Sequence, residues 1–492
     1  VRVSKLNEVY LRVETDYEET VAFRNYTSFF APNFQYNPKF KAHMWDGKIS
    51  YFDARTRMLP QGLFYMAEEF CKSYERPLEL SSEMFEKRNP VSVEEVNEFA
   101  KKLEMPFAPR DYQAEEVSAA MTNAKGVVVS ATGSGKSLVI YLIIRMIMEE
   151  TNGKILLVVP KVSLVEQMYS DFVSYGWKEQ EDYVEKLYAE QKPTFKKCVL
   201  ITTYQSIMRK PSSFFEDFTA ILNDEAHSVK STELQKIAKQ CVNAKFRLGF
   251  TGTLPKEVCD NLNICGMLGP KIYELKSKEL MKEGILSKIV VANIFIKYPE
   301  EIAKLGRNRS YPEEVDLVEK SEQRMQVFDY ILKNLPSGQN TLILVNHLDH
   351  LERLKEHLIA AFGDKMRICE INGKTDPQKR EQLRKDMDEK RNVVMVATYG
   401  TMSTGVNIHK IHNVIFGSSS KSEIRVLQSI GRGLRTHKSK EKLVLWDLVD
   451  DFSYVSKNGK LKQNYMFKHW DERAHYYKEQ EFPCVKRTVN VS

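Results

Sequence analysis

The chain has 492 residues, 42% of them apolar and 28% charged, with seven cysteines and a formal net charge of +7. That length makes room for two to four domains, the composition is that of ordinary globular protein, and no run of about twenty apolar residues is present to span a membrane. The odd, scattered cysteines without a Cys-x-x-Cys pair argue against a zinc site and suit a reducing cytoplasm. No basic-then-apolar leader is visible at the N-terminus, and the mild cationic excess permits a polyanionic partner without demonstrating one.

Residues 1–95 read as a small α+β domain. Val9, Leu11 and Val13 alternate with Tyr10, Arg12 and Glu14, which predicts a half-buried strand. A helix is expected over Tyr17–Phe30, a turn at Trp45-Asp46-Gly47-Lys48, a strand from Ile49, and a second helix over Leu63–Tyr74. Between Phe34 and Pro60, the cations Lys39, Lys41, Lys48, Arg55 and Arg57 interleave with six aromatic residues, against only Asp46 and Asp53. That interleaving suits a nucleic-acid face. The same aromatics would serve equally as the core of so small a domain. Glu79–Met105 reads as a linker or helical connection.

Residues 96–280 alternate short apolar runs with helical patterns, which implies a parallel sheet covered by helices on both faces. The β-branched run Gly126-Val127-Val128-Val129 leads into Ser130-Ala131-Thr132-Gly133-Ser134-Gly135-Lys136-Ser137, and an apolar helix-length stretch follows from Leu138 to Met148. Strand, glycine loop and helix together form a phosphate-binding loop: Gly133 and Gly135 admit the phosphate to the backbone, and the helix start presents N–H groups to the anion. Lys136 would reach the β and γ phosphates and Ser137 would ligand Mg²⁺. The usual first glycine is replaced by Ser130. Eighty-eight residues beyond Lys136, Phe218–Asn223 predicts a buried strand ending in Asp224-Glu225-Ala226-His227. A first carboxylate there can hold Mg²⁺ and a second can polarise the attacking water. Three more strands are expected, at Ile155–Val159 before Pro160, at Val199–Thr203 before Tyr204-Gln205-Ser206, and at Phe246–Phe250 before Thr251-Gly252-Thr253.

Residues 281–450 read as a second α/β lobe without a phosphate loop. Strands are expected at Ile289–Ile296, at Thr341–Val345 ending in Asn346-His347, at Val393–Val396 ending in Ala397-Thr398, and at Val414–Phe416 towards the lobe's far side. In Gln428-Ser429-Ile430-Gly431-Arg432-Gly433-Leu434-Arg435, a helix would bring Gln428, Arg432 and Arg435 to one face. A solvated basic face is the bland alternative, but Gly431 and Gly433 weaken a purely structural helix. Residues 451–492 form a basic, aromatic C-terminal tail; from 452 onward it carries eight Lys/Arg against four Asp/Glu. It is either a packed terminal helix or a nucleic-acid contact.

In combination these stretches resemble the superfamily 2 helicases and translocases. Arg110-Asp111-Tyr112-Gln113 is similar to that family's adenine-reading motif, which implicates Arg110 and Gln113 in nucleotide binding. Thr132–Ser137 resembles motif I, in a form that tolerates a residue other than glycine at Ser130. Val159-Pro160-Lys161 through Gln167 resembles motif Ia, and Thr202–Ser206 the next strand-contacting motif. Asp224–His227 resembles motif II, Thr251-Gly252-Thr253 motif III with Gly252 replacing the usual alanine, Ala397-Thr398 through Thr404-Gly405-Val406-Asn407 motif V, and Gln428–Arg435 motif VI. The resemblance implies two RecA-like parallel-sheet lobes in tandem after the small N-terminal α+β domain, with ATP and Mg²⁺ as cofactors. It implies catalytic roles for Lys136, Asp224, Glu225, Gln428, Arg432 and Arg435, with Ser137 and Asp224 on the metal. Thr132, Gly133, Ser134, Gly135, Gly405 and Asn407 join the nucleotide contacts, and His227, Thr251 and Thr253 couple the two activities. Pro160, Lys161, Thr203, Tyr204, Gln205, Asn346, His347, Thr398 and Thr404 are the implied strand contacts.

The run Asn37-Pro38, Trp45-Asp46-Gly47, Leu59-Pro60 and Gly62-Leu63, with Leu427-Gln428, Trp446-Asp447-Leu448 and Asp450-Asp451, is similar to the recombination and repair helicases of T4-type phages. That similarity implies an ATP-dependent DNA helicase or translocase working as a monomer in the cytoplasm of the infected host. Its substrates would be branched molecules: forks, Holliday junctions, D-loops and, with RNA as a partner strand, R-loops. The ATP motifs do not separate DNA from RNA, so an RNA helicase remains open. So does an annealing or branch-binding protein that uses ATP as a switch, although Glu225, Arg432 and Arg435 argue for turnover.

Overall fold

The computed structural model describes residues 1–85, 88–188, 194–402 and 408–492, with residues 83, 85, 377 and 432 described by backbone alone. Two compact units are present: Val1–Ser130 with Gly135–Leu275, and Ala131–Ser134 with Lys276–Ser492.

The first unit opens with β1 (Arg2–Lys5), β2 (Tyr10–Glu14), β3 (Ser28–Phe30), β4 (Lys48–Ser50), β5 (Met58–Pro60) and β6 (Glu79–Leu80). These make a four-stranded sheet in the order β5-β2-β1-β6 and a separate β3-β4 pair. Leu11 and Val13 are buried and Arg12 and Glu14 exposed, as the alternation requires. The first helix starts on a capping box, with Asp16 accepting from the Glu19 N–H at 2.7 Å. It stops at Tyr26 rather than running to Phe30. The Thr27 and Ser28 hydroxyls turn back onto the Phe23 and Arg24 carbonyls at 2.9 and 2.5 Å, and Ser28-Phe29-Phe30 becomes a strand instead.

The larger sheet of this unit comprises β7 (Lys125–Ser130), β8 (Lys154–Val159), β9 (Val184–Leu187), β10 (Val199–Thr203), β11 (Phe218–Asp224), β12 (Phe246–Thr251) and β13 (Lys271–Leu275), in the order β13-β7-β12-β11-β8-β10-β9. Every pairing is parallel. A parallel sheet is buried on both faces, which explains the unbroken apolar runs. Ile155, Leu157 and Val159 enter one core while Leu156 and Val158 enter the other. The stretch read as a linker is part of this packing: Val93–Lys102 is helical and buries Val96 and Ala100 in the first core. Arg247, fully buried on β12, donates to the carbonyls of Met267, Cys241 and Ala238 at 2.6–2.8 Å, so its charge is held by three acceptors.

The second unit carries β14 (Lys288–Lys297), β15 (Thr341–Val345), β16 (Arg367–Ile371), β17 (Val393–Thr398), β18 (Asn413–Phe416), β19 (Lys442–Asp451), β20 (Tyr454–Val455), β21 (Leu461–Lys462) and β22 (Cys484–Asn490). Seven of them form a second all-parallel sheet, β16-β17-β15-β18-β19-β14-β22, while β20 and β21 pair as a hairpin. The strand expected at the far side, β18, is therefore the central one. The terminal residues are packed: β22 pairs along β14, and the helix Tyr465–Glu479 buries Trp470, Tyr477 and Arg473. Arg473 forms a two-pronged pair with Asp447 at 2.7 and 3.0 Å.

Within the first unit the N-terminal sheet shares a core with the helix Val258–Leu268. Leu262 and Cys265 of that helix lie among Val3, Leu11, Phe23, Leu59 and Leu63. Tyr51 Oη donates to the Cys259 carbonyl at 2.8 Å, and Lys125 Nζ meets Glu8 at 2.7 Å. The approach is closest at Gly62, where a Cβ would stand 1.8 Å from the Cys265 carbonyl oxygen. Gly62→Ala should therefore force the two elements apart, lowering stability by about 1–3 kcal/mol. Urea unfolding and faster proteolysis within residues 1–80 would report it; unchanged values would mean the backbone yields there at no cost.

Candidate nucleotide and strand site

Because all seven strands of the first large sheet run in one direction, their carboxyl ends share one edge, and loops at that edge are where open α/β sheets hold ligands. The loop after β7, Pro160-Lys161 after β8, Thr203-Tyr204-Gln205 at the end of β10, Asp224-Glu225 at the end of β11 and Thr251 at the end of β12 all lie there.

Gly133 and Gly135 have φ of +92° and +89°, which is why glycine occupies both positions. The helix Lys136–Glu150 starts at once, with Gly135 as its N-cap. Lys136 Nζ rests on the Ser130 carbonyl at 3.0 Å, and the Ser137 hydroxyl shares a 2.7 Å hydrogen bond with Tyr175 Oη. Gln113 is buried beside this loop: a Cβ on Gly135 would stand 2.5 Å from Gln113 Nε2. Its Oε1 accepts from the Arg110 N–H at 3.0 Å, and the Arg110 guanidinium donates to Tyr112 Oη at 3.0 Å.

Asp224 is the last residue of β11, and Glu225 follows with φ of +53°, a left-handed conformation that costs energy for a side chain of its kind. The Glu225 N–H donates to Asp224 Oδ1 at 3.0 Å. Desolvation, and then the Glu225 charge, push the Asp224 carboxyl above the usual carboxylate range, against the pull of Lys136. His227 Nδ1 lies 3.0 Å from Thr251 Oγ1 and 3.4 Å from Glu225 Oε2. Burial lowers its proton affinity. Thr251 Oγ1 donates in turn to the Thr253 carbonyl at 2.9 Å. Hydrogen bonds therefore link His227 to Thr251 and Thr253, with the Glu225 carboxylate close to the same His227 nitrogen. Thr203 is buried and shares a 2.9 Å hydrogen bond with Ser206, while Gln205 is exposed.

In the second unit, Asn346 and His347 follow β15. They line a cavity of about 940 Å³ with Arg353, Ser420, Lys421 and Arg425. Asn346 is engaged by Ser418, Ser419 and Arg425 at 3.1–3.3 Å, and His347 Nδ1 lies 2.7 Å from Glu319. Thr398 Oγ1 shares a 2.8 Å hydrogen bond with Thr401. Thr404, Gly405 and Asn407 lie outside the described residues. Gln428 and Arg432 fall on the helix Glu423–Gly433, but Arg435 does not share it: the helix ends at Gly433 with Leu434 as its cap, and Arg435 forms an isolated bridge with Leu286. Gly433 has a packing reason, since a Cβ there would stand 2.8 Å from Leu443.

The N-terminal cations divide. Lys39, Lys41, Lys48 and Arg55 are exposed. Arg57 is not: it is half-buried and donates to Thr15 and Thr20, so its guanidinium serves the small domain rather than a ligand. The aromatics divide too. Phe52 is core, whereas Phe34 stacks on Phe30 at 4.6 Å and meets Phe40 edge to face at 4.8 Å in an outer cluster, with Lys48 5.2 Å above Phe30 and Tyr36 exposed.

Residues missed in the sequence include Tyr175, Arg353, Arg425 and Glu116. The last is a buried acid one helical turn from Gln113 whose spacing to it was the available signal.

Three family models match the chain: "Type III restriction enzyme, res subunit" over residues 106–256, "DNA helicase UvsW, N-terminal" over 1–80, and "Helicase conserved C-terminal domain" over 323–437. The chain is 28% identical to the ATP-dependent DNA helicase uvsW of Enterobacteria phage T4, across 97% of this chain and 98% of that protein. It is 25% identical to the DNA 3'-5' translocase XPB2 of Sulfurisphaera tokodaii, across 68% and 80% of the two. The crystal structure of T4 UvsW aligns over 99% of both chains at 25% identity and a TM-score of 0.51.

The end of the Glu423–Gly433 helix depends on Lys440, a buried lysine that donates to the Gly433 carbonyl and, at 2.6 Å, to that of Arg435. Lys440→Met should leave both acceptors unpaired at about 1–3 kcal/mol each. Hydrogen exchange should accelerate over residues 430–437 and stay unchanged in β7–β12; no change at 430–437 would show the segment to be held by other contacts.

Proposed function

We propose that this chain, which belongs to the superfamily 2 helicases, is a motor that remodels branched DNA. It is an ATP-hydrolysing helicase. The observation that best supports the assignment of its nucleotide site is the presence, at one edge of the first sheet, of the Gly135–Ser137 helix start, Gln113 and the Asp224-Glu225 pair.

In this reading the loop N–H groups and Lys136 bind the β and γ phosphates, while Arg110 and Gln113 read the base. Ser137 and Asp224 would hold Mg²⁺. They fit it, being hard oxygen donors, and the Asp224 carboxyl, disfavoured as an anion by desolvation and by the neighbouring Glu225 charge, would gain from a cation beside it. The ion when bound neutralises phosphate charge. Glu225 orients the attacking water and takes its proton. His227 passes the state of that site to Thr251 and Thr253 along the observed hydrogen bonds. Gln428, Arg432 and Arg435, with Gly405 and Asn407, are assigned to the same nucleotide by resemblance alone.

Glu225→Gln should retain Mg-nucleotide binding and lose at least about 10²-fold in turnover, whereas Lys136→Ala should weaken binding as well. Near-normal ATPase in Glu225→Gln would move the base elsewhere.

Strand contact is assigned to Pro160, Lys161, Thr203, Tyr204 and Gln205 in the first unit, and to Asn346, His347, Thr398 and Thr404 in the second. A phosphate track alone gives no preference for branch points. A second duplex contact is assigned to the exposed Lys39, Lys41, Lys48 and Arg55 beside the outer aromatic cluster; Arg57 drops out. DNA is favoured over RNA by the likeness to a protein described as a DNA helicase. ATPase rates with each polymer decide that point. Forks, Holliday junctions, D-loops and R-loops are the proposed substrates, acted on by a monomer in the host cytoplasm.

Deleting the N-terminal domain would expose Leu262 and Cys265, so point variants are the cleaner test. In Lys39/Lys41/Lys48→Ala, the slope of log fork affinity against log salt should flatten by roughly 0.9 per lost contact, while single-strand-stimulated ATPase holds. An unchanged slope would leave these lysines as ordinary surface charge.

A further inference from the structure

The phosphate-binding loop begins with Ser130 where the common pattern has glycine. That hydroxyl has a partner. Ser130 is fully buried, and its Oγ donates to Glu116 Oε1 at 2.6 Å. Glu116 lies on the helix Asp111–Asn123, is itself fully buried, and its Oε2 has no hydrogen-bond partner among the described residues. The backbone carbonyl of the same Ser130 receives Lys136 Nζ at 3.0 Å. A carboxyl group, a hydroxyl and an ammonium are thus linked through one residue of the loop. A buried carboxylate with only half its acceptors used is costly, and a purely structural position would be filled more cheaply by an amide or an apolar side chain.

We propose that Glu116 is a positioning residue for nucleotide binding: through Ser130 it fixes the first residue of the phosphate loop and the resting place of Lys136. The proposal rests on the reading of Lys136 as the phosphate ligand.

The charges acting on Glu116 are few. Lys136 stands at the start of the following helix, and Glu115 is on Glu116's own helix. β7 contributes Ser130. β13 contributes Tyr273, whose hydroxyl is bonded to Glu115 at 2.7 Å. The helix Val93–Lys102, packed on the same helix, buries Val96 and Ala100. Burial pushes the Glu116 carboxyl up to about 7, with the Ser130 hydrogen bond and then Lys136 drawing it part of the way back.

The sign of the effect follows. Nucleotide phosphates bring negative charge to the loop and draw the Lys136 ammonium off the Ser130 carbonyl. Both changes raise the proton affinity of Glu116. Nucleotide binding therefore takes up a proton, and affinity falls as pH rises through neutrality. The fold shows the same asymmetry: with its folded pKa above its unfolded one, Glu116 contributes stability that is full below about 4.5 and lost as pH rises through about 7.

The test uses the full chain with Mg-ADP as the binding probe. Kd is measured by calorimetry from pH 6 to 9 for wild type, Glu116→Gln and Ser130→Gly, alongside KM and kcat for ATP and thermal stability. The ratio of wild-type to Glu116→Gln Kd should be near one at pH 6 and rise to about ten-fold at pH 9, since one unit of proton affinity is ten-fold in binding. Protonation changes of the ligand and of other groups at the site are common to both proteins and cancel in that ratio. The effect should fall on KM rather than kcat. Ser130→Gly removes the bond that favours the carboxylate and should move the inflection to higher pH. Glu116→Gln should also be the more stable protein above pH 8. A ratio that stays flat with pH, or a change in kcat alone, overturns the proposal. Failure of wild type to bind Mg-ADP at any pH overturns the reading of the loop itself.

Discussion

A parallel strand can be followed by another only after a crossover, so every strand of such a sheet must end on the same edge. In the first unit that constraint delivers five separate segments to one edge: the ends of β7, β8, β10, β11 and β12. None of these segments is near another in the chain. Asp224 meets the loop that contains Lys136 because β11 and β7 flank β12 in register, with Asp224 opposite Phe250 and Val128 opposite the same residue. The chemistry assigned to the site is a consequence of strand order as much as of residue type.

The sheets tolerate charge in their interiors only where geometry compensates it. Arg247 has three carbonyls, Arg473 has both oxygens of Asp447 together with Ser419 and Ser420, and Arg324 has Asp450 at 2.8 Å and the Gly417 carbonyl at 2.7 Å. Breaking such a pair leaves an uncompensated charge, which is far more costly than the pair is favourable. Asp447 and Arg473 also explain why the terminal helix cannot be regarded as an appendage: its arginine completes the inside of the second sheet. Glu116 is the contrast, a buried acid with only one oxygen engaged, and it lies under the phosphate loop.

The small N-terminal sheet behaves in the same way. Read along the chain it is a separate domain, matched over residues 1–80 by a family model of its own. In space it borrows Leu262 and Cys265 to complete its core. Its outer face, with Phe30, Phe34, Phe40 and the exposed lysines, is what remains after the inner aromatics have been buried.

The sequence by itself determined what depends on near neighbours. Strand, glycine loop and helix at Val127–Met148 follow from local periodicity and from the φ angles that only glycine takes easily. The runs at Ile155–Val159, Val199–Thr203 and Phe218–Asp224 could be read as buried strands because both faces of a parallel strand are apolar. The placing of Asp224 and Lys136 at strand ends of one sheet could be read from residue type and order. Tertiary structure decided what depends on distant partners. The position of β18 at the centre of its sheet reflects strand order, which no single run encodes. Arg435 leaves its helix because Lys440 and Leu286 take up the chain beyond Leu434. Arg57 and Lys48 carry the same charge and similar neighbours in the chain, yet only Arg57 has Thr15 and Thr20 within reach. Whether a cation is a tie within the fold or a contact for a ligand is settled by what the fold brings beside it, and a sequence pattern holds no record of that distance.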